Sequence, residues 1–306
     1  MRIVILSARS GWQTDELGRA LRERGHTSEV LPYEGLVARL GRGLDLSSDR
    51  APIFEADAVL ARIVPAGSLE QIIFRVDALH WLEARGVPVI NSPRAIERTV
   101  DKFYTTALLQ EAGLPVPDTV VCERHADALA AVRAMGDVVI KPIFGSLGHG
   151  MVRVTDPEVA RRVVEPLEQV SSVFYVQQTI DHGGCDIRVF VIGGRVVGAI
   201  ERTAPAGEWR TNVARGGSAR AIDLPVAWAD LARRATAIVG ADYAGVDLLP
   251  SRDGRVFVLE VNGIPGWQGL QQATGLDVAG LIADHTVARV RVRAGAAGAV
   301  ATESPA

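Results

Sequence analysis

The spacing of apolar positions changes several times along this chain, and the changes outline its parts. Residues 2 to 90 alternate apolar runs with amphipathic ones: RIVILSA, TDELGRALRERG ending at Gly25, SEVLPY, DAVLARIV, LEQIIFRVDALHWLEARG and VPVI. Strand patterns alternating with helix patterns predict a small open sheet of largely parallel strands with helices on its faces. Asn91-Ser92-Pro93 then opens a helix, with Ser92 as N-cap and Pro93 at the first helical position, where its missing N–H costs nothing. This helix is expected to run to about Glu111, stopped by Gly113, Pro115 and Pro117.

From Thr119 the pattern predicts a strand, a helix (Ala126 to Met135), a strand (Val138 to Lys141), a glycine-rich turn, a strand (Met151 to Val154), a helix (Pro157 to Gln169) and a strand (Val173 to Gln178). A third unit follows. It has strands near Cys185 to Ile192 and Arg195 to Ile200, a glycine-rich loop at Ala204 to Gly217, a helix from Trp228 to Val239, a hairpin, and a final helix near Val278 to Val290. The tail from Arg293 to Ala306 is small, polar and Ala/Gly-rich, and is expected to be disordered. The expected divisions are therefore residues 1–92, 93–180, 181–292 and 293–306, with no internal repeat.

Composition narrows the class. A hydrophobic content of 48% with 23% charged residues excludes a disordered chain, and a net charge of -3 gives no reason to expect nucleic acid as a bulk partner. The apolar runs are short and interrupted, which leads to the expectation of a cytoplasmic protein without a membrane span. Cys122 and Cys185 form no CxxC pair and read as buried structural thiols.

The segment VDLLPSRDGRVFVLEVNGIPG, from Val246 to Gly266, carries the most specific chemistry. Two strands joined by Ser251-Arg252-Asp253-Gly254 would gather Asp247, Glu260 and Asn262 at one end of a hairpin. Residues two apart on a strand share a face, so Glu260 and Asn262 point one way while Val261 faces the core. Two carboxylates and an amide suit magnesium; a solvated polar hairpin end is the alternative. In VVIKPIFGSLGHG, Lys141 ends an apolar strand and Gly145, Gly148 and Gly150 follow, a pattern that suits phosphate oxygens. Its spacing is neither GxGxxG nor GxxxxGK[ST], and a glycine-rich hairpin with a surface lysine is the plainer reading. Lys102 on its helix reads alone as a surface charge. Asp186, Arg188, Arg202, Arg210 and Arg215 cluster near strand ends and glycines, which suits bidentate recognition of carboxylate or phosphoryl oxygens. Arg62, ending DAVLARIV, reads either as reaching a cleft beyond the carboxyl ends of the strands or as a surface arginine.

These motifs, taken in order, resemble the ATP-grasp superfamily and, within it, the RimK-like α-L-glutamate ligases. The resemblance runs through Asp101-Lys102, the KP strand and GSLGHG, VQQ at Val176 to Gln178, GCDIR at Gly184 to Arg188, Glu201-Arg202, RTN and RGG within Arg210 to Gly217, AGVD at Ala244 to Asp247 and EVN at Glu260 to Asn262. It covers nearly the whole chain and implies a fold of α/β and α+β parts, an ATP-grasp fold behind an N-terminal open α/β (pre-ATP-grasp) domain. By resemblance ATP lies between two α+β units under a lid containing Gly145, Ser146, Gly148 and Gly150. Lys102 and Lys141 hold its phosphates, Gln178, Thr179 and Ile180 border the adenine, and Asp186, Thr211 and Asn212 lie in the nucleotide and substrate cleft.

Asp247, Glu260 and Asn262 would carry one or two Mg2+ ions, with Mn2+ able to substitute. Arg188, Arg202, Arg210 and Asn212 would face the transferred phosphoryl group and the acyl intermediate. The implied activity is ATP-dependent addition of L-glutamate to a carboxylate. The RTNVA form of the loop resembles ligases acting on a glutamate-ended pterin cofactor such as tetrahydromethanopterin. A ribosomal-protein C-terminus is the alternative acceptor, and a non-catalytic ATP-binding module the alternative class. The family also implies a homo-oligomer. Gln178-Thr179 departs from the acidic-then-aromatic pair usual in the family, although a Gln amide still bonds a base edge.

Overall fold

The computed structural model describes residues 1–302 except 42, 146–147, 206, 210 and 212–216, with side chains described as far as 293. The chain begins with β1 (Arg2–Leu6), α1 (Trp12–Glu23), β2 (Thr27–Leu31), β3 (Leu36–Arg39), β4 (Asp45–Ser48), β5 (Ala51–Pro52), β6 (Ala58–Ala61), α2 (Leu69–Ala84) and β7 (Val89–Ile90). Four of these strands pair in the order β2-β1-β6-β7, all parallel, as the alternation predicts. The antiparallel sheet β3-β4-β5 is additional. Its strands are short and partly polar and supply Leu36 and Leu46 to the neighbouring core, with Ala38 and Ala51 at its margin, too little apolar pattern to announce it.

Ser92 caps the next helix as expected, its side chain accepting from the Ala95 amide with Pro93 in the first turn. The single helix expected to reach Glu111 is, however, two: α3 (Pro93–Val100) and α4 (Lys102–Glu111). Asp101 is extended between them, and its carboxylate accepts from the Tyr104 amide to cap α4. The break places Lys102 at the first position of a new helix.

A four-stranded antiparallel sheet follows, built from β8 (Thr119–Cys122), β9 (Val138–Lys141), β10 (Val152–Val154) and β11 (Phe174–Gln178) in the order β10-β9-β11-β8. Helices α5 (His125–Met135) and α6 (Pro157–Gln169) close around a core of its own that includes Val132, Ile140, Val164, Phe174 and Val176. The last unit has β12 (Cys185–Ile192), β13 (Arg195–Thr203), β14 (Ser218–Ala221), α7 (Val226–Val239), β15 (Tyr243–Pro250), β16 (Val256–Asn262), α8 (Gln268–Thr274) and α9 (Val278–Thr302). Its sheet is antiparallel in the order β14-β13-β12-β15-β16. Short β14 and α8 escape the sequence pattern, and α9 stays helical through Thr302, where a disordered tail from Arg293 was expected.

One face of this second antiparallel sheet packs with α7, Leu109 and Leu114. On the other face Phe190, Ile192, Ile200 and Tyr243 join Ile3, Ile5, Leu17, Leu21 and Ile282 in a single core, so the first and last units are fused. Two buried polar side chains stitch them together. Arg62 is 1% exposed and donates to the Tyr243 hydroxyl (2.9 Å), Gln13 Oε1 (2.7 Å) and the Pro265 carbonyl (3.1 Å), with its guanidinium over the Trp267 ring. It is therefore no surface arginine. Asn91, fully buried, donates to the carbonyls of Tyr243 and Gly263 and accepts from the amides of Asp242 and Tyr243. Cys122 and Cys185 are free and half-buried rather than fully buried. Among the described residues no helix is long and apolar enough to cross a membrane.

The Asp101 cap yields a stability prediction. Asp101→Ala should lower unfolding free energy in urea by about 1 kcal/mol, while Asp101→Asn, which can still accept from an amide, should lose little. Equal losses in both variants would show that the cap is not what ends α3.

Candidate active site

A cleft of about 1010 Å³ runs between the two antiparallel sheets and along the ends of the parallel one. It is lined by Lys102, Lys141, Gly145, Gly148, Gln178, Thr179, Ile180, Asp186, Arg188, Arg202, Thr211, Asp247, Glu260 and Asn262. The structure thus brings together nearly every sequence-predicted residue it describes. Gly150 sits beside this lining in the same turn, at φ +73°. Ser146, Arg210, Asn212 and Arg215 fall outside the described residues.

The hairpin forms as expected, with Asp247 opposite Glu260 and Gly245 opposite Asn262, at the end away from the Ser251–Gly254 turn. A register shift follows Asp247, because the next pair is Leu248 with Val258, leaving Leu259 as the extra residue on β16. Strict alternation would put Val258, Glu260 and Asn262 on one face. The bulge breaks that rule: Val258 and Val261 are both in the core, while Leu259, Glu260 and Asn262 all line the cleft.

Asp247 is only 4% exposed, and its two oxygens are forked by Arg188, through Nε to Oδ1 and Nη2 to Oδ2. Arg202 Nη2 lies 3.1 Å from Asp247 Oδ2, and the same guanidinium forks Asp186 at 2.7 and 2.5 Å. All four groups sit on neighbouring strands: Asp186 is directly opposite Arg202, and Arg188 directly opposite Asp247. Burial pushes the Asp247 carboxyl up, but Arg188 and Arg202 outweigh it and hold the group below the ordinary aspartate value. For Arg202, burial works against the charge, and Asp247 and Asp186 more than restore it. The glycine of AGVD has a concrete reason: a Cβ at Gly245 would come within 3.1 Å of Arg188 Cδ, so this position leaves room for the arginine to cross β15.

On the opposite wall Lys141 donates to Gln177 Oε1 at 2.5 Å, and Gln177 in turn donates to Thr119 Oγ1 and the Tyr175 hydroxyl, each at 3.0 Å. Lys102 Nζ holds the carbonyls of Ile143 (3.2 Å) and Gly145 (2.9 Å), tethering the glycine loop to α4. It is half-buried rather than a free surface charge. Burial pulls both lysines down, Lys141 to about 8, while Glu260 opposes the shift in each. The sequence reading missed Gln177, which fixes Lys141, and the apolar wall of Val139, Leu249 and Leu259 beside Ile180. Alternation along β15 puts Leu249 on the face of Asp247, whereas Leu259 reaches the cleft only through the bulge.

What this arrangement can hold follows from its donors. Glu260 makes no ion pair among the described residues. Asn262 donates through Nδ2 to the Gly245 carbonyl at 3.3 Å, which leaves its amide oxygen available. A carboxylate offers about four lone-pair positions, so Asp247 retains acceptor capacity beyond its guanidinium partners. Two carboxylates and an amide oxygen fit a hard cation that completes its shell with water and phosphate. Among the described residues there is no cluster of three His, Cys, Asp or Glu, so the protein alone offers no fuller cage.

Comparison with known proteins identifies the family. The RimK-like ATP-grasp domain family matches residues 99–286, and the RimK pre-ATP-grasp domain family matches residues 1–96. The chain belongs to the RimK-like ATP-grasp ligases. It is an enzyme of the α-L-glutamate ligase family, a group that forms amide bonds. The tetrahydromethanopterin:alpha-L-glutamate ligase of Methanosarcina acetivorans is 36% identical to this RimK-like chain, over 90% of it and 94% of the relative. A ligase of the same name from Methanococcus maripaludis is 30% identical over 94% and 98%. Among solved structures, the RimK domain ATP-grasp protein of Sphaerobacter thermophilus superposes with a TM-score of 0.70 at 23% identity, covering 94% of this chain and all of the other. The ATP-grasp ligase PsnB, solved with a minimal precursor, Mg and ADP, gives 0.73 at 23%, covering 94% and 98%. Both show the ATP-grasp fold.

Lys141 provides the pH prediction. Its folded value of about 8 lies below the 10.5 of an unhindered lysine, so the buried charge costs stability below pH 8, and that cost fades as pH rises from 8 to 10.5. NMR of lysines labelled at Cε, with Lys141→Arg to assign the resonance, should show a midpoint near 8. A midpoint at 10.5 would mean that the amine is solvated.

Proposed function

We propose that this ligase adds L-glutamate to an acceptor carboxylate with ATP and Mg2+, through an acyl phosphate. The observation that carries the reading is the composition of one cleft: the buried Lys141 and the half-buried Lys102 on one wall face Glu260, Asn262 and a guanidinium–carboxylate lattice on the other. An acceptor carboxylate oxygen would attack the γ-phosphorus and release ADP. The glutamate amine would then attack the acyl carbon, release phosphate and lose its proton to solvent. Phosphoryl transfer is mostly positioning and charge neutralisation, and needs no protein nucleophile.

In this reading Lys102 and Lys141 neutralise the phosphates, and Ile180, Leu249, Leu259 and Val139 flank the base, with Gln178 and Thr179 at its edge. Arg188 spends Nε and Nη2 on Asp247 and keeps Nη1 for the transferred phosphoryl group. Arg202 is held beside it, and Arg210, Thr211 and Asn212 complete the acceptor side. Glu260, Asn262 and Asp247 would hold magnesium, which supplies charge neutralisation at the phosphates when bound. The acceptor is a glutamate-ended cofactor of the tetrahydromethanopterin kind. What supports this is the pair of methanogen relatives bearing that name, which align over nearly their full length.

The test is product analysis with ATP, Mg2+, L-glutamate and a panel of pterin and deazaflavin glutamates. ADP and phosphate should form in equal amounts and only with an acceptor carboxylate present. AMP and pyrophosphate as the stoichiometric products would sink the acyl-phosphate route.

A further inference from the structure

The cleft extends past the nucleotide residues to a wall that the parallel sheet supplies. In the order β2-β1-β6-β7 the chain leaves β1 toward one side and later returns on the other, so the switch point lies between β1 and β6. Ligands of open α/β sheets bind in the crevice beyond the carboxyl ends of strands at such a point. Here the two loops beyond those ends are joined by Ala8 N donating to the Ile63 carbonyl (2.8 Å) and Arg62 N to the Leu6 carbonyl (2.8 Å). Arg9, Ser10, Arg62 and Ile63 from these loops, with Gln13 in the first turn of α1, all line the same cleft as Asp186 and Arg202.

Two of these residues offer donors of defined character. Arg9 is exposed, and its guanidinium has no partner among the described residues. Gln13 is different, because Arg62 can only donate. The 2.7 Å contact from Arg62 Nη2 therefore fixes Gln13 Oε1 as the acceptor and leaves the Nε2 amino group as a donor without a partner among the described residues. The site makes room for that amino group: a Cβ at Gly266 would lie 2.9 Å from Gln13 Nε2. Arg62, buried behind, is the positioning residue. No Asp or Glu of the parallel-sheet unit lines the cleft beside them.

We infer that Arg9 and Gln13 form a subsite for a substrate carboxylate, the one that does not react. This deepens the ligase reading and rests on it. A glutamate-ended acceptor carries two carboxylates, only one of which can be phosphorylated, and a cation with an oriented amide donor away from the phosphates fixes which one. The incoming L-glutamate has the same chemistry, so the two sources must be separated by experiment.

The probes are glutarate, a dicarboxylate without an amine that imitates the acceptor end, and L-glutamate. Binding is measured by calorimetry to the full chain with ADP and Mg2+ present, for wild type, Arg9→Gln, Gln13→Glu and Gly266→Ala. Losing a charge-assisted bond corresponds to about a tenfold loss of affinity, expected for glutarate in each variant, with ADP affinity unchanged. The same loss confined to L-glutamate would support the subsite and assign it to the incoming amino acid. Wild-type affinities in Arg9→Gln and Gln13→Glu for both probes, or no binding of either probe by wild type, would overturn it. Failure of the ligase reading looks different, since the chain would bind carboxylates yet form no amide with any acceptor.

Discussion

Four charges on three adjacent strands set the terms for everything around the cleft. Asp186, Arg202, Asp247 and Arg188 alternate in sign, two bidentate pairs joined by the single contact of Arg202 with Asp247, and three of the four are buried. Removing Arg202 would strand the buried Asp186 in a medium where an unpaired ion costs several kcal/mol. The antiparallel register of β13, β12 and β15 places the partners directly opposite one another, so folding the sheet and satisfying the charges are one event. What remains outside the lattice is Glu260, delivered to the cleft by the bulge in β16, together with the two lysines across from it. Two lysines depressed by burial share Glu260 as their common carboxylate, with Asp101 acting on Lys102 alone, and so suit an anion between them.

The cores divide along the same line. The parallel sheet and the second antiparallel sheet share one core and are locked by Arg62 and Asn91, whereas the central sheet that carries Lys141 and the glycine loop has a core to itself. The small cluster of Ile180, Leu249 and Phe257 is the apolar seam between the two bodies, a boundary of the kind about which domains hinge. Lys102 belongs to α4 but grips the loop carbonyls, which couples the glycine loop to the boundary between the two bodies.

Local signals made much of this legible. Ser92-Pro93, the alternation of the first ninety residues and the Val246–Gly266 hairpin each follow from short-range rules, and the structure agrees with them. The break at Asp101 was harder, because the apolar pattern continues through it and only the capping carboxylate interrupts the helix. Arg62 and Asn91 looked ordinary because their partners lie more than 150 residues away, apart from the contact of Arg62 with Gln13. The pairing of Arg188 with Asp247 spans 59 residues and depends on strand order, which spacing does not encode. Motif order pointed to residues that the fold gathers in one cleft, yet only the sheet register shows that two of the arginines are already engaged by carboxylates.

The central claim is that the lattice belongs to the fold while Glu260 is held in reserve for a cation carried by the nucleotide. Calorimetry of ADP binding with and without Mg2+, in wild type and Glu260→Gln, addresses it most directly. The account predicts that Mg2+ tightens ADP binding in wild type, and that Glu260→Gln reduces this gain by at least about tenfold while leaving the metal-free affinity and the thermal midpoint close to wild type. An undiminished Mg2+ gain in Glu260→Gln would contradict it.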